Sequence, residues 1–178
     1  MINRIHILGA SGSGTSTLAA KLSETLGYEH LDTDDYYWEK TNPPYQNKRD
    51  GNDRIKMLKE KFDVTPRWIL SGSLCGWGDV LIPYFELVVY LWVPLAIRLA
   101  RLREREMKRY GSEIESGGLM YQAHADFMDW ASKYDTGGME VRSKKKHEQW
   151  LSQLQCKLLR IEGSFDLAST VQRVTNAI

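Results

Sequence analysis

The sequence predicts an α/β protein built on a five-stranded parallel sheet with helices on both faces. Three observations carry this. Short apolar runs alternate with helical stretches along the whole chain. The run Leu87 to Val93 is apolar almost throughout, as a strand covered on both faces requires. The first strand passes through a glycine-rich turn directly into a helix.

Arg4 to Leu8 is the first strand. Ser16 to Leu26 reads as a helix with Leu18, Leu22 and Leu26 on one face and Gly27 as its stop. Glu29 to Thr33 is a short second strand, and Glu39 to Arg49, with Pro43-Pro44, is a loop. Asn52 to Phe62 is a helix facing inward through Ile55, Leu58 and Phe62. Trp68 to Ser71 is the third strand and leads into the glycine-rich Gly72 to Gly78. After the fourth strand, Pro94 suits the first turn of a helix that runs to about Arg109. Gly111 to Gly118 is loop. Helices are expected over Met120 to Tyr134 and Ser143 to Gln153, a fifth strand over Lys157 to Ile161, and a closing helix over Leu167 to Ala177.

A chain of 178 residues suits a single domain, 1–178, and 42% apolar residues can build its core. A net charge of +1 leaves no global field to attract nucleic acid or an anionic membrane. Arg142, Lys144, Lys145, Lys146 and His147 form a basic cluster, which reads as a solvated face. Cys75 and Cys156 are too few and too far apart for a disulfide framework or a local zinc cluster. A reduced, cytoplasmic setting is the simplest expectation. The first strand starts about three residues in, so no signal peptide is expected. The longest apolar run, Leu87 to Ile97, is too short to span a bilayer.

The chemistry begins at Gly9-Ala10-Ser11-Gly12-Ser13-Gly14-Thr15-Ser16-Thr17, between the first strand and the first helix. Glycines let successive backbone N–H groups point into one concavity, and the helix N-terminus adds partial positive charge. The loop reads as a cradle for nucleotide phosphates, through Gly9, Ser11, Gly12, Ser13, Gly14, Thr15, Ser16 and Thr17. Ser16 is placed to coordinate Mg²⁺. Thr15 stands where this motif normally has a lysine. An ion pair near 4 Å is worth about 4 kcal/mol at an effective dielectric of 20. Its loss slows phosphoryl transfer by about a thousandfold unless another cation replaces it.

Over its whole length the chain resembles the small-molecule kinases of the adenylate kinase and shikimate kinase type. The resemblance rests on the phosphate loop, Asp32-Thr33-Asp34 after the second strand, an arginine-rich helix after the fourth, and an insertion where those enzymes carry a lid. Together with Leu31-Asp32-Thr33-Asp34-Asp35 and Ser71-Gly72-Ser73-Leu74-Cys75-Gly76-Trp77-Gly78-Asp79, the loop looks like a bacterial adenylate kinase-like, topology-modulation-like branch. The resemblance implies the P-loop NTPase three-layer fold with a helical lid insertion at 110–147, an acceptor-binding insertion at 36–64, ATP or another nucleoside triphosphate as donor, and Mg²⁺. Ser71-Gly72-Ser73 departs from the Asp-Gly followed by Phe-Pro-Arg of nucleoside monophosphate kinases, which argues against plain adenylate kinase.

Asp32, Asp34 and Asp35 lie at the carboxyl end of the second strand, the edge where open parallel sheets bind ligands. The third and fourth strands end without a carboxylate. Asp32 is therefore the candidate second Mg²⁺ ligand, acting through water. Asp34 is the candidate acceptor of a proton from a substrate hydroxyl, the role seen in shikimate kinase-like enzymes. Arg98, Arg101, Arg105 and Arg109 recur at spacings of three and four, on one expected helix face. Arg101, Arg105 and the lid residue Arg142, with Lys144 to Lys146, are candidates to replace the missing lysine charge. Asp34, Asp35, Arg54, Trp77 and Asp79 are assigned to an acceptor pocket, with Tyr36, Tyr37 and Trp38 as aromatic walls. Gly117-Gly118 and Gly137-Gly138 read as flexible joints.

The sequence thus points to ATP-dependent phosphoryl transfer to a small hydroxyl- or phosphate-bearing acceptor, nucleosides and nucleotides included. Thr15 keeps open a rival, a nucleotide-binding sensor or regulator without transfer activity. The expected partners are a nucleotide and a small acceptor. Neither a membrane nor a nucleic acid is expected, and the chain is read as a monomer or homodimer.

Overall fold

Strand periodicity decides how the sheet is covered. In β1 (Arg4–Gly9), Ile5 and Ile7 point to one face while His6 and Leu8 point to the other, and all four are fully buried. The computed structural model describes residues 2–178. Five strands form one parallel sheet in the order β2-β3-β1-β4-β5, with β2 at Glu29–Asp32, β3 at Trp68–Ser71, β4 at Leu87–Trp92 and β5 at Lys157–Glu162. This is the five-stranded, doubly covered α/β sheet that the alternation of elements predicts.

Ile5 and Ile7 meet Leu18, Ala19 and Leu22 of α1 (Thr15–Leu26), and Val174 of α7 (Leu167–Thr175) closes the same layer. On the opposite face Leu8, Leu70 and Val88 meet Leu58 and Phe62 of α3 (Gly51–Val64) and Trp150 and Leu151 of α6 (Lys144–Leu151). Phe62 stacks on Trp68 at 4.1 Å between ring centroids. The remaining helices are α2 (Thr33–Tyr37), α4 (Leu95–Tyr110) and α5 (Tyr121–Ser132). No helix among the described residues is long and apolar enough to cross a membrane.

Some details depart from the sequence reading, among them a 3₁₀ turn at Gly111–Ile114 where loop was expected. Thr33 belongs to a helix, because Asp32 Oδ1 accepts the Asp34 N–H at 3.0 Å and caps α2 there. The strand therefore ends one residue earlier. Asp79–Tyr84 forms a 3₁₀ turn that includes Pro83, where only glycine-rich loop and connection were expected.

Candidate functional site

The central strand β1 pairs with β3 on one side and β4 on the other. From β1 the chain crosses to β2 on one side, and from β3 it crosses back past β1 to β4 on the other, so a crevice opens at the carboxyl ends of the strands. The phosphate loop fills that point. Gly12 and Gly14 have φ of +81° and +94°, a region that a side chain rarely tolerates. A Cβ on Gly12 would also lie 2.6 Å from the Arg98 carbonyl oxygen. Ser13 closes the loop through its N–H and its hydroxyl, both donated to the Ala10 carbonyl at 3.0 and 2.7 Å. The Ser13 hydroxyl is thus already used within the loop. No side chain caps α1. Its first-turn N–H groups, at Thr15, Ser16 and Thr17, are left to face an anion.

Next to the loop, Ser16 Oγ donates to Asp32 Oδ2 at 2.6 Å, and Ser71 Oγ donates to the same oxygen at 2.8 Å. His30 Nε2 lies 2.9 Å from the Ser71 hydroxyl. The β2–β3 register brings Ser71 opposite Asp32. Sequence reasoning passed over Ser71, since its partner is known only once the strands are paired. Ser16 and Asp32 offer the hard oxygens that Mg²⁺ prefers. Among the described residues no group of three or more His, Cys, Asp or Glu side chains could hold a metal ion. The pair therefore fits a cation that also takes phosphate and water oxygens, the usual mode for Mg²⁺ with a nucleotide.

The main cleft has a volume of about 660 Å³ and is bordered by Ser11, Asp34, Trp77, Arg105, Arg142 and Lys146. Water reaches Asp34, yet the cleft walls crowd it. This desolvation, then the charge of Asp32, raises its carboxyl above the ordinary 3.8, while Arg142 and Arg105 pull the other way. Arg142 lies 5.4 Å from the Trp130 ring centre. Tyr37 and Trp38 also line the cleft, joined by Tyr45, Lys48, Arg109 and Phe127, none of which was assigned to the pocket from sequence. Tyr45 sits in a proline-rich loop with no periodic pattern to mark it.

Several assignments change. The arginines of α4 do not form one exposed stripe. At 100° per residue Arg98, Arg105 and Arg109 fall within about 20° of a common direction, and Arg101 lies about 60° away. Arg98 is fully buried and pairs with Asp135, with Nε donating to the Val93 carbonyl at 2.8 Å. Arg101 faces the outer side of the loop, its Nη1 3.5 Å from the Gly12 and Ser13 carbonyls. It borders a second cavity of about 260 Å³ with Gly14, Thr17 and Phe165. Arg105 alone of the two α4 candidates reaches the main cleft.

Arg54 does not line the cleft. It is buried behind the aromatic wall, its guanidinium 3.8 Å from the Tyr37 ring centre and 5.7 Å from that of Trp77. Asp79 opens the 3₁₀ turn and accepts the Gly76 N–H at 3.2 Å, outside the cleft. Asp35 is exposed outside it too, since a helical step turns it about 100° from Asp34. The basic run divides: Lys146 enters the cleft, Lys144 stands 4.9 Å over the Trp92 ring, and Lys145 alone faces solvent. One glycine of each pair is held by close packing against backbone. A Cβ on Gly118 would lie 2.3 Å from the Glu113 carbonyl oxygen, and one on Gly137 2.8 Å from that of Lys133.

Comparison with known proteins is consistent with this geometry. A family model described as an AAA domain matches residues 5–120. The uncharacterized protein YqaC of Bacillus subtilis (strain 168) is 51% identical over 174 residues, covering 98% of this chain and 96% of that protein. The cytidylate kinase of Natronomonas pharaonis is 34% identical over 117 residues, which are 58% of this chain and 59% of that protein. The shikimate kinase from Acinetobacter baumannii superposes with a TM-score of 0.60 at 15% identity, covering 99% and 93% of the two chains, a likeness of fold.

Proposed function

The chain belongs to the P-loop family whose AAA-domain model spans residues 5–120, and from that premise we propose that it transfers a phosphoryl group from ATP to a small hydroxyl- or phosphate-bearing acceptor. The observation that carries the proposal is the continuity of the site. Ser16 of the phosphate loop is bonded to Asp32, and Asp34, two residues further on, faces a cleft that Arg105 and Arg142 also line.

Each group has a role in this reading. The N–H groups of Ser11 to Thr17 hold the donor phosphates. Bound Mg²⁺ supplies positive charge against the phosphate oxygens, with Ser16 and Asp32 as the residues that would hold it. The smaller cavity beside Thr17, Arg101 and Phe165 takes the nucleotide base. Asp34 accepts the hydrogen of the attacking hydroxyl and orients that oxygen. Arg105, Arg142 and Lys146 meet the charge spread over the transferring group, the task the loop lysine would share. Segment 36–64 contributes Tyr37, Trp38 and Tyr45 as the acceptor wall, and segment 110–147 closes as a lid carrying Trp130 and Arg142.

The test is to incubate the protein with Mg-ATP and a panel of nucleosides, nucleotides and small hydroxy acids and sugars, and to analyse the products. The expected result is ADP formed in step with one phosphorylated acceptor. Tight ATP binding with no product from any acceptor would favour the second reading, a nucleotide sensor, for which Thr15 is the specific support.

A further inference from the structure

A chain of buried hydroxyls and one imidazole runs from the core of the sheet to the wall of the main cleft. Tyr90 Oη lies 2.8 Å from Tyr134 Oη, Tyr134 Oη 2.9 Å from His147 Nδ1, and His147 Nε2 3.1 Å from Ser73 Oγ. Tyr90 and His147 are fully buried and Tyr134 is 2% exposed. Ser73 borders the cleft. The sequence reading placed Tyr134 and His147 in the lid, and the role proposed for Asp34 and the arginines uses neither.

Counting protons leaves three arrangements of this chain, and one drops out at once: if Tyr134 accepts from both Tyr90 and Nδ1–H, its own buried hydrogen has no acceptor. Each hydroxyl has one hydrogen to donate, and a neutral imidazole carries one on either nitrogen. The ring is neutral, because burial, with Arg142 and other cations nearby, lowers its pKa to about 3. In the first of the two that remain, Tyr90 donates to Tyr134, Tyr134 to Nδ1, and Nε2–H to Ser73 Oγ. In the second every bond is reversed. Ser73 then donates to Nε2, Nδ1–H to Tyr134, and Tyr134 to Tyr90. The Tyr90 hydrogen would be left without an acceptor in the core, since its hydroxyl meets only Tyr134 among the described residues. The charged group over its ring, Arg160 at 5.5 Å, is itself a donor. A buried unpaired donor is costly, which selects the first arrangement.

In that arrangement Ser73 Oγ accepts from the core side and its own hydrogen is turned outward. The group beside it is the Cys75 sulfur, a weak acceptor that also borders the cleft. We infer that Ser73 donates a hydrogen bond to an oxygen of the phosphoryl acceptor, and that His147 is the positioning residue that turns the Ser73 proton into the cleft. The site therefore selects acceptors that present a hydrogen-bond-accepting oxygen (carbonyl, carboxylate, phosphate or hydroxyl) near the end of β3. This inference rests on the phosphotransferase reading above.

The test has two parts. The first is the tautomer of His147 in the ¹⁵N-labelled wild-type protein, read by NMR. The expected result is a proton on Nε2 and a bare Nδ1, unchanged between pH 5 and 8, a range set well above the value of about 3. A proton on Nδ1 overturns the inference, whether or not the protein turns over any substrate.

The second part compares Ser73→Ala with Tyr90→Phe, using the acceptor found in the product screen. Ser73→Ala raises the KM for the acceptor about tenfold, the loss of one hydrogen bond, and leaves the KM for ATP in place. Tyr90→Phe disturbs the same buried chain, but Tyr134 still donates to Nδ1. It lowers the melting temperature and leaves the acceptor KM near wild type. An unchanged acceptor KM in Ser73→Ala overturns the inference. So does an equal rise in both variants, which would make the chain merely structural. A wild-type protein that phosphorylates no acceptor removes the premise, and Ser73 then has no acceptor to select.

Discussion

Ser16, on the first turn of α1, donates its hydroxyl to Asp32 Oδ2 at 2.6 Å, across sixteen residues of sequence. The bond ties the phosphate loop to the end of β2, and the same carboxylate caps α2 through the Asp34 N–H. Asp32 is therefore both a structural cap and the negative charge nearest the loop hydroxyl. Substitution separates the two roles. Asn is a cap as good as Asp, whereas Ala forfeits about 1 kcal/mol. Asp32→Asn should keep the melting temperature within about 2 °C and lose most turnover, while Asp32→Ala should lose both. Chelation of Mg²⁺ with EDTA should abolish turnover of the wild type and leave its melting temperature, taken without nucleotide, unchanged.

Arg105 and Arg142 border the main cleft, whereas Arg101 borders the smaller cavity behind the loop. Arg105→Ala and Arg142→Ala should each lower kcat by about a hundredfold or more, as removal of a transition-state cation does. Arg101→Ala should act on the KM for ATP and leave kcat within a few-fold. Steady-state kinetics with the acceptor saturating distinguishes them, and a fall in kcat for Arg101→Ala would refute the division.

Thr15 tests whether the charge missing from the loop is already supplied. With Arg105, Arg142 and Lys146 at the cleft, Thr15→Lys should change turnover by less than about tenfold. A gain near a thousandfold would mean that these cations do not reach the transferring group.

Asp34 gives a pH signature. Its carboxyl titrates above the ordinary 3.8, chiefly through desolvation and the neighbouring Asp32 charge. A raised acid is disfavoured when ionised, so it weakens the fold above its folded-state pKa and has no effect below the unfolded value of 3.8. Asp34→Asn should accordingly raise the melting temperature at pH 7, and the gain should vanish at about pH 3. Turnover of the wild type should fall on the acid side as Asp34 takes up its proton. Asp34→Asn should lose most activity and with it that acid limb.

Arg98 is wholly buried and Asp135 is its ion-pair partner. Asp135→Ala leaves an unpaired charge in the core and should lower stability by about 3 kcal/mol. For a domain of this size that is a fall of about 6–12 °C in melting temperature. Arg98→Met, which removes the charge itself, should be milder than Asp135→Ala by thermal denaturation. The reverse order would mean that the pair contributes through the Arg98 hydrogen bonds to Val93 and Ala131.

What the sequence determined by itself is local. The glycines of the loop, the apolar alternation of β1, the continuous apolar run of β4 and the helix stop at Gly27 are set by backbone conformation and by contacts within a few residues. They predicted the five parallel strands, and with them the edge at which the loop and Asp32 would meet. The tertiary structure decided what distant residues do to one another. Arg54 and Arg105 are both arginines on helices near the cleft, yet one is enclosed behind Tyr37 and the other lines the cavity. Arg98 became a buried partner of Asp135, and His147 joined Tyr90, Tyr134 and Ser73 in the core. No periodicity encodes such pairings, because they depend on strand order and on the packing of helices far apart in the chain. The sequence placed the phosphate loop, and the packing chose which charges face it.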